Sequence, residues 1–394
     1  MTGFSDIEKR LQERERQNRY RRRRVIESPQ GRTLQIDGRQ VLNFCSNDYL
    51  GLANDARVRA AFKQGIDDWG AGSGAAHLVC GHLKPHHELE EAMAEFTGRP
   101  RCLLFSSGYA ANLGVVNGLL SVGDHVFEDR LNHASLLDGG WISRAGFHWF
   151  EHGDVDSLAM RLESCANMEG RKLIVSDGTF SMDGDLCRLE EIVRLGRQHG
   201  AWVMIDDAHG FGVHGIDGRG IVEPDRYGID DVHILIGTLG KAFGTHGAFV
   251  AGSEELIETL IQKARTYIFS TALPPSIAVA TLTSLEILRG EEWRRERLRN
   301  HVQRFRHGAE QIGLTVAPSD SPIQPVLVGA EQAALSISAE LEELGILVTP
   351  IRPPTVPDGT SRLRITLTAA HSEQDVDHLL GALDACAATV QAIA

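Results

Sequence analysis

Six short apolar segments, separated by longer helix-like stretches, constrain the fold of this chain more than any other feature of its sequence. The apolar segments occupy residues 102–105, 125–128, 172–176, 202–205, 233–236 and 248–251. Amphipathic helical patterns lie between most of them, for example over 154–163 and 189–199. Strands that alternate with helices predict βαβ units and a mostly parallel sheet, in which ligands bind at the carboxyl ends of the strands.

The regions on either side of this pattern differ from it. The first two dozen residues are dense in charge and predict a helix that ends in the four arginines at 21–24. After Pro274 and Pro275, an arginine-rich helical stretch covers roughly 285–313, and three more strand candidates follow at 323–328, 347–351 and 362–367. These patterns predict an N-terminal helical or extended segment (1–45), a large α/β domain (46–285) and a small C-terminal α+β domain (286–394).

Composition excludes several classes of partner. The net charge is −13, from 40 basic and 53 acidic residues, which argues against nucleic acid because duplex binding usually needs a basic face. The sequence has no apolar run long enough to cross a membrane, and its first twenty residues lack the apolar core of a signal peptide. Its six cysteines form no C-x-x-C pair, which is typical of reduced thiols. We therefore expect a cytoplasmic protein without a membrane partner.

Two motifs suggest functions that their context does not support. Residues 210–215 fit the dinucleotide pattern G-x-G-x-x-G, but that site needs a helix to open at the glycines, and 216–220 (IDGRG) do not favour one. His82, His86 and His87 have no standard zinc spacing, so we interpret them as the start of a helix and predict no metal site.

Polar residues that follow three predicted strands indicate a chemistry. Asp206 directly follows the strand at 202–205, and Lys241 lies in a glycine-rich turn after the strand at 233–236. Residues 106–112 place serines and a glycine where another strand gives way to a helix, a suitable anion site. Singly, these are explained as a capping acid and a surface lysine. Together they match pyridoxal phosphate (PLP), which needs a lysine, an acid for its ring nitrogen and a phosphate site.

Six motifs carry a resemblance to a known family. They are FCSNDYLGL (44–52), NHAS (132–135), FSMDGD (180–185), DDAHG (206–210), TLGK (238–241) and FSTALPP (269–275). With them, the chain resembles the α-oxoamine synthase family of fold-type I PLP enzymes, from Arg21 to the last helix. The resemblance implies an α/β fold with a mostly parallel central sheet in a large domain, plus a smaller C-terminal α+β domain. It also implies a homodimer with its active site at the interface.

The resemblance gives each matching position a role toward the cofactor. Lys241 would hold PLP covalently, Asp206 would pair with the ring nitrogen, and His133 would stack on the ring. These three would be the catalytic residues. Further cofactor contacts would come from Gly108, Tyr109, Ser181, His209 and Thr238, and from Thr271 across the dimer interface.

The resemblance also implies substrate contacts. Arg364 would bind the carboxylate of an amino acid, with Asn47 close to the substrate and His133 near its carboxylate or ketone oxygen. Arg21 and Thr355 would contact the acyl chain, which favours a pimeloyl thioester condensed with L-alanine. By the residues alone, Arg364 is also explained as an ordinary strand arginine, and the arginines at 21–24 as a solvated helix face.

Other interpretations stay open at this point. A family member that uses glycine would form 2-amino-3-oxobutyrate or 5-aminolevulinate, and a non-catalytic PLP-binding protein or a nicotinamide oxidoreductase is a more distant alternative. The pimeloyl carrier is either coenzyme A or an acyl carrier protein, for which the basic stretch 294–306 offers a docking patch. The sequence departs from many relatives at 75–77 (AAH), where Ser-Arg is common, and this bears on the substrate entrance.

Overall fold

A computed structural model describes residues 4–386 of the 394-residue chain. Its strands, in chain order, are β1 (Thr33–Ile36), β2 (Arg39–Asn43), β3 (Arg101–Phe105), β4 (His125–Asp129), β5 (Gly146–Phe150), β6 (Lys172–Asp177), β7 (Trp202–Asp206), β8 (Ile234–Thr238), β9 (Ala248–Gly252), β10 (Ile323–Gly329), β11 (Ile346–Leu347), β12 (Thr349–Ile351) and β13 (Ser361–Thr366).

Its α-helices are α1 (Ser5–Arg16), α2 (Ala56–Trp69), α3 (Lys84–Thr97), α4 (Gly108–Leu119), α5 (Ala134–Ser143), α6 (Val155–Ser164), α7 (Leu189–His199), α8 (Glu254–Lys263), α9 (Arg265–Ile268), α10 (Pro275–Gly290), α11 (Glu292–Gln311), α12 (Glu331–Glu343) and α13 (Glu373–Ala385). A π-helical turn covers His77–Gly81, and a 3₁₀ turn covers Ile216–Gly218. None of the helices between residues 4 and 386 is long and apolar enough to span a membrane.

The larger of two compact units comprises residues 48–181 and 185–296 and contains a seven-stranded sheet. The strand order is β3-β9-β8-β7-β6-β4-β5, and β9 alone in this sheet runs against the other six. Because six strands share one direction, their carboxyl ends lie along one edge of the sheet.

Burial explains why the apolar segments of this unit form strands. The central strands β7 and β8 are buried almost throughout, as expected for a parallel sheet that helices cover on both faces. Helix α7 is amphipathic, with Leu189, Ile192 and Val193 buried, and it ends at Gly200, whose φ of 59° suits glycine. The predicted α/β pattern therefore arises because the strands are buried on both faces and each helix buries one apolar face against them.

The smaller unit comprises residues 4–47, 182–184 and 297–386 of the described chain. It contains two three-stranded sheets, ordered β1-β2-β11 and β10-β13-β12. Strand β13 is central in the second sheet and is buried along its whole length. Its Arg364 lies opposite Pro325 of β10 and Thr349 of β12.

The structure corrects three sequence-based expectations about elements. The N-terminal helix ends at Arg16, and Asn18 takes a φ of 55°, so the arginines at 21–24 lie in irregular chain rather than at a helix end. The helical stretch predicted over 285–313 is two helices, which Glu291 separates. The strand predicted at 347–351 is divided into β11 and β12. The domain boundaries predicted at 45 and 285 stay a prediction.

Candidate active site

The carboxyl edge of the seven-stranded sheet collects polar side chains. Strand β6 ends in Asp177 and strand β7 ends in Asp206, and the two residues pair in the parallel register. The neighbouring strand β8 ends in Thr238, three residues before Lys241. The predicted ring acid and the predicted lysine therefore follow adjacent strands at the same edge.

A chain of hydrogen bonds joins Asp206 to His133. The Asn112 amide donates to Asp206 Oδ2 at 2.7 Å and to Ser135 Oγ at 2.8 Å, and Ser135 Oγ lies 2.7 Å from His133 Nδ1. The other oxygen of Asp206, Oδ1, accepts from the Ala208 amide at 3.0 Å. Asp206 is only 5% exposed, and the Asn112 and Ala208 donors are both neutral. A buried carboxylate of this kind would form a favourable ion pair with a protonated ring nitrogen.

The surroundings of His133 determine which of its nitrogens carries the proton. Its Nδ1 accepts the main-chain N–H of Ser135 at 3.3 Å, so the neutral ring bears its proton on Nε2. Desolvation lowers the pKa of His133, the Asp206 charge opposes that effect, and the Lys241 charge lowers the pKa further. The neutral imidazole therefore offers an Nε2–H donor near neutral pH.

Two residues that sequence reasoning missed position His133. The main-chain N–H of His133 donates to Asp177 Oδ2 at 2.6 Å, and the Asp177 amide donates to Asn132 Oδ1 at 3.0 Å. Burial raises the pKa of Asp177 well above its ordinary value, and the adjacent Asp206 charge raises it further. A signal was present in the sequence, since Asp177 ends an apolar run just as Asp206 does.

His209 is a buried residue fixed by a tyrosine. Its Nδ1 lies 2.6 Å from the hydroxyl of Tyr49, which is fully buried. Tyr49 belongs to the FCSNDYLGL motif, so this contact ties that motif to the DDAHG motif. The structure thus gives the His209 ring a fixed orientation at the carboxyl edge.

Lys241 is half-buried in the turn that follows β8. The Gly244 amide donates to the Lys241 carbonyl at 2.8 Å, and a Cβ on Gly244 would lie 2.3 Å from the Ala53 nitrogen. Gly244 also has a φ of 66°, so the turn requires glycine there. The Lys241 charge lowers the pKa values of His133, Asp177 and Asp207, so its amine acts electrostatically on these groups.

The N-terminus of α4 forms a cradle for an anion. Ser107 is the N-cap, and its hydroxyl accepts from the Ala110 amide at 3.2 Å. The first amides of a helix have no partner within it, and a Cβ added at Gly108 would meet nothing within 4 Å. The Tyr109 hydroxyl donates to Asp138, which holds that ring to one side. Backbone donors and open space thus coincide at this helix end.

These residues fit PLP in chemistry and spacing. Asn112, which holds Asp206, lies one helical turn beyond Gly108, so the anion cradle and the acid are about 6 Å apart along α4. Lys241 and Asp206 supply the two remaining groups that the cofactor needs. Ser181 lies half-buried after β6, and exposed Thr271 makes a bridge with Ala76.

The predicted carboxylate-binding arginine lies in the smaller unit. Arg364 is buried and donates to Thr366 Oγ1 at 2.9 Å and to Asn47 Oδ1 at 3.2 Å, so the structure brings these two predicted substrate residues together. Its neighbour Arg362 instead makes an ion pair with Asp183. The two strand arginines thus have different contacts, since Arg362 pairs with Asp183 and Arg364 contacts Thr366 and Asn47.

The two predicted acyl-chain contacts belong to neighbouring segments of the same unit. Arg21 and Thr355 are both exposed. Arg352 donates to the Asn18 carbonyl, and Arg19 makes an ion pair with Asp358 at 3.0 Å, which ties the chain before Arg21 to the loop that carries Thr355.

The arginines of the basic stretch 294–306 differ in exposure. Arg294 and Arg295 are buried, and they pair with Asp55 and with Glu292. Arg304 pairs with Asp377 at 2.6 Å, and Arg306 donates to main-chain carbonyls. Arg297, Arg299 and Arg304 are exposed, and a docking patch on this stretch stays a prediction.

Comparison with known proteins confirms the predicted family. Residues 39–383 match the aminotransferase class I and II family, and the chain belongs to that family. The 8-amino-7-oxononanoate synthase of Stutzerimonas stutzeri is 60% identical over 381 residues, which cover 97% of this chain and 96% of that protein. The corresponding synthase of Saccharophagus degradans is 56% identical over 385 residues, with 97% and 96% coverage.

Solved structures confirm the fold class. A serine palmitoyltransferase from Sphingomonas wittichii superposes with a TM-score of 0.93 at 32% identity and covers 100% of both chains. A structure described as SPT with PLP has a TM-score of 0.93 at 30% identity, again over 100% of both chains. The 8-amino-7-oxononanoate synthase of Francisella tularensis has a TM-score of 0.77 at 30% identity, over 88% of this chain and 97% of that one.

Proposed function

We propose that this protein is a PLP-dependent acyltransferase that condenses L-alanine with a pimeloyl thioester. The products are 8-amino-7-oxononanoate, which is the compound in its relatives' names, together with carbon dioxide and a free thiol. This reaction belongs to biotin biosynthesis. The observation that carries the proposal is the cluster at the carboxyl edge, where Asn112 of α4 and Ser135 join Asp206 to His133, and where the Lys241 charge acts on His133. When bound there, PLP supplies an electron sink for the negative charge that develops at the alanine Cα.

Lys241 has two tasks in this proposal. Its amine would hold the cofactor covalently, and the same amine, when free, would take the proton from the alanine Cα. The buried carboxylate of Asp206 accepts the ring N–H and keeps that nitrogen protonated, as its two neutral donors support. His209, oriented by Tyr49, hydrogen-bonds the ring oxygen.

His133 contributes the face of its imidazole ring and a hydrogen-bond donor at Nε2. Its ring stacks on the cofactor, and its Nε2–H donates to the substrate carboxylate or to the ketone oxygen that forms after acyl transfer. Asn112 and Ser135 fix the ring angle through Nδ1, and Asp177 fixes the main chain. Such preorganised donors stabilise charge in the transition state without reorganisation.

The remaining roles concern cofactor and substrate binding. We propose that the Gly108 and Tyr109 amides bind the cofactor phosphate together with Thr238. Ser181 would lie beside the cofactor ring. Thr271 would reach the phosphate of the other subunit across the dimer interface. We assign the alanine carboxylate to Arg364 with Asn47, because a guanidinium binds a carboxylate through two parallel hydrogen bonds. Arg21 and Thr355 bind the far end of the acyl chain, where the terminal pimeloyl carboxylate would meet the arginine.

We infer that the active form is a homodimer. Leu78, Val79 and Phe269 are 52%, 78% and 70% exposed. They lie close to the bridge between Ala76 and Thr271, so they form one apolar surface beside the residue assigned to the interface. Exposed apolar patches of this kind mark association surfaces.

A direct assay tests the reaction. The PLP-loaded protein is given pimeloyl-coenzyme A, or the pimeloyl acyl carrier protein, with L-alanine or glycine, and carbon dioxide and free thiol are measured. We expect both products with L-alanine and little of either with glycine. A preference for glycine would contradict L-alanine as the substrate. If neither carrier released thiol, the proposed acyl transfer itself would be wrong.

Variants separate the roles within that assay. Lys241→Ala should abolish turnover while leaving the unfolding midpoint almost unchanged. Arg364→Lys should raise the KM for L-alanine more than it lowers kcat, since lysine cannot form the paired hydrogen bonds. Arg362→Lys, two residues away on the same strand, is the matched control and should keep its KM because a lysine can still pair with Asp183.

A further inference from the structure

We propose that His125, His148 and Cys165 form a binding site for a divalent transition-metal ion such as Zn²⁺, separate from the residues assigned to PLP. One ligand atom from each of the three side chains lies within 4.8 Å of the others. His125 begins β4, His148 lies in the middle of β5, and Cys165 caps the end of α6. The ion would join the edge strand β5 and its neighbour β4 to the helix that packs on them.

The distances match those of a tetrahedral ion. Zn–N bonds of about 2.0–2.1 Å and Zn–S bonds of about 2.3 Å place two ligand nitrogens about 3.4 Å apart and a nitrogen and a sulfur about 3.6 Å apart. In the protein, His125 Nδ1 lies 3.1 Å from His148 Nε2, and Cys165 Sγ lies 3.6 Å from the same His148 nitrogen. Small ring rotations would open the first distance to the required value.

A glycine leaves the necessary space beside these nitrogens. Gly146 of β5 pairs with His125 in the strand register. A Cβ at Gly146 would lie 2.8 Å from His125 Nδ1 and 3.3 Å from His148 Nε2, and its φ does not require glycine. Any larger residue would push its side chain against the two ring nitrogens, so the glycine keeps this space open.

Packing fixes one of the proposed ligands. The His148 ring stacks on Phe127 with the ring centres 4.8 Å apart, which holds it in place beside His125 and Cys165. Arg161 donates to the Trp149 carbonyl, and its charge opposes a second cation. A cysteine thiolate offsets that repulsion because it brings a negative charge to the ion.

The binding step balances without a further reactant. Cys165 loses its thiol proton to solvent, and its sulfur donates an electron pair to the ion. The hydrogen bond between His125 Nδ1 and His148 Nε2 is replaced by two coordinate bonds, and the ring that donated this bond moves its proton to its other nitrogen through solvent, so both coordinating nitrogens present a lone pair. A water molecule completes four ligands. No oxidation or reduction takes place.

This site lies at the opposite edge of the sheet from the cofactor residues. His125 is the first residue of β4 and Asp129 the last, so the strand separates the two edges by about 13 Å. A second group of histidines, His77, His82 and His86, is less suitable. His86 already accepts the Leu83 amide at Nδ1 and contacts the Leu273 carbonyl at Nε2, at 2.7 Å, so it has no lone pair to offer.

Cobalt titration of the PLP-loaded, metal-free protein tests the proposal. Co²⁺ bound to a thiolate in a tetrahedral site gives visible absorption bands at wavelengths beyond those of PLP. We expect these bands to saturate at one ion per chain and to disappear when Zn²⁺ displaces the cobalt. Zn²⁺ should also raise the unfolding midpoint, because an ion that binds only the folded state stabilises it.

Variants assign the signal to these residues. Cys165→Ser and His148→Gln should weaken metal affinity at least about tenfold, since loss of an outer-shell contact alone costs about 10–100-fold. Gly146→Ala should weaken it as well, whereas Cys80→Ala removes an exposed thiol elsewhere and should change nothing. Circular dichroism checks folding, and the Cys80 variant is the control for adventitious thiol binding. Bands that persist in Cys165→Ser, or the absence of stoichiometric binding by the wild-type protein, would overturn the site.

Discussion

Single residues join parts of the chain that are far apart in the sequence. Asp177 accepts the main-chain N–H of His133 at 2.6 Å, and His152 links Asp129, the last residue of β4, to Asp185 of the same unit. Neither residue was assigned a role from the sequence. Both are revealed by distances, because their partners lie 44, 23 and 33 positions away along the chain.

Replacing Asp177 tests its positioning role. Asp177→Ala removes the acceptor of the His133 N–H, a loss of up to about 1–3 kcal/mol, so we expect kcat to fall about tenfold with a small change in KM. Asp177→Asn keeps an acceptor oxygen and should restore most of the rate. Steady-state kinetics of both variants check this, and equal losses in the two would contradict a positioning role.

His152 should make stability depend on pH in the alkaline range. Burial lowers the pKa of His152, but the hydrogen bonds and charges of Asp129 and Asp185 outweigh it and raise the pKa to about 10. Because the pKa of His152 is higher in the folded state than in the unfolded state, its protonation stabilises the fold. This contribution is complete at pH values below the unfolded-state pKa of about 6.5, and it is lost as the pH rises through the folded-state pKa of about 10.

Urea unfolding between pH 6 and 10 measures this contribution. The difference in unfolding free energy between the wild-type protein and His152→Gln should shrink toward pH 10. Its slope should stay below the limit of about 1.4 kcal/mol per pH unit for one proton, since solvent screens the side chain. A difference that does not change with pH would show that His152 acts through packing alone.

At the scale of elements, the glycine-rich segment 210–220 surrounds a buried acid. Burial raises the pKa of Asp207 to about 8, and its Oδ2 accepts from the Ile221 amide at 2.7 Å. A Cβ on Gly210 or on Gly220 would lie 2.0 Å from a carboxyl oxygen of Asp207. The segment continues into a 3₁₀ turn, Ile216–Gly218. Close packing around Asp207 therefore explains Gly210, the first glycine of the motif that imitates a dinucleotide site, and Gly220 beyond that motif.

Alanine at Gly220 should destabilise the protein more than alanine at Gly123. Both glycines have positive φ, +87° and +96°, and that conformation costs an alanine about 1–2 kcal/mol. Only Gly220→Ala also forces a methyl group against Asp207, which should add about 1–3 kcal/mol. Thermal or urea unfolding compares them, and equal losses would mean that Asp207 moves aside at little cost.

Strand β5 shows which elements the sequence concealed. It lies at the end of the strand order, and four of its five residues are only partly buried or exposed. The six predicted strands are present because each is a continuous apolar run, whereas an edge strand needs no such run. The sequence also did not predict the irregular chain at 21–24 or the break at Glu291. Charged residues occur both inside a helix and just beyond its end, so they do not mark where the helix stops.

At the scale of the whole molecule, the apolar surface around Val79 should determine association. Val79→Asp places a charge in the surface that we assign to the dimer interface, so it should increase the monomer fraction at micromolar concentration. Val122→Asp is the matched control, since Val122 is 77% exposed against 78% for Val79 but lies in the turn after α4. Sedimentation velocity measures both, and a Val79→Asp protein that stays dimeric would place the interface elsewhere.

The sequence by itself determined the α/β class, the family and the groups of the proposed cofactor site, because each depends on local information. Apolar runs specify strands, and the residue after a parallel strand lies at the carboxyl edge wherever the strand sits in the sheet. Lys241, Asp206 and the start of α4 follow from that rule alone.

Only the tertiary structure decided which residues support those groups and which distant side chains meet. The Asn112 and Ser135 contacts that join Asp206 to His133, the pairing of Arg364 with Asn47, and the meeting of His125, His148 and Cys165 all depend on strand order and register. The physical reason is that a strand's own residues specify its burial, whereas its neighbours are chosen by how all the helices and strands pack together.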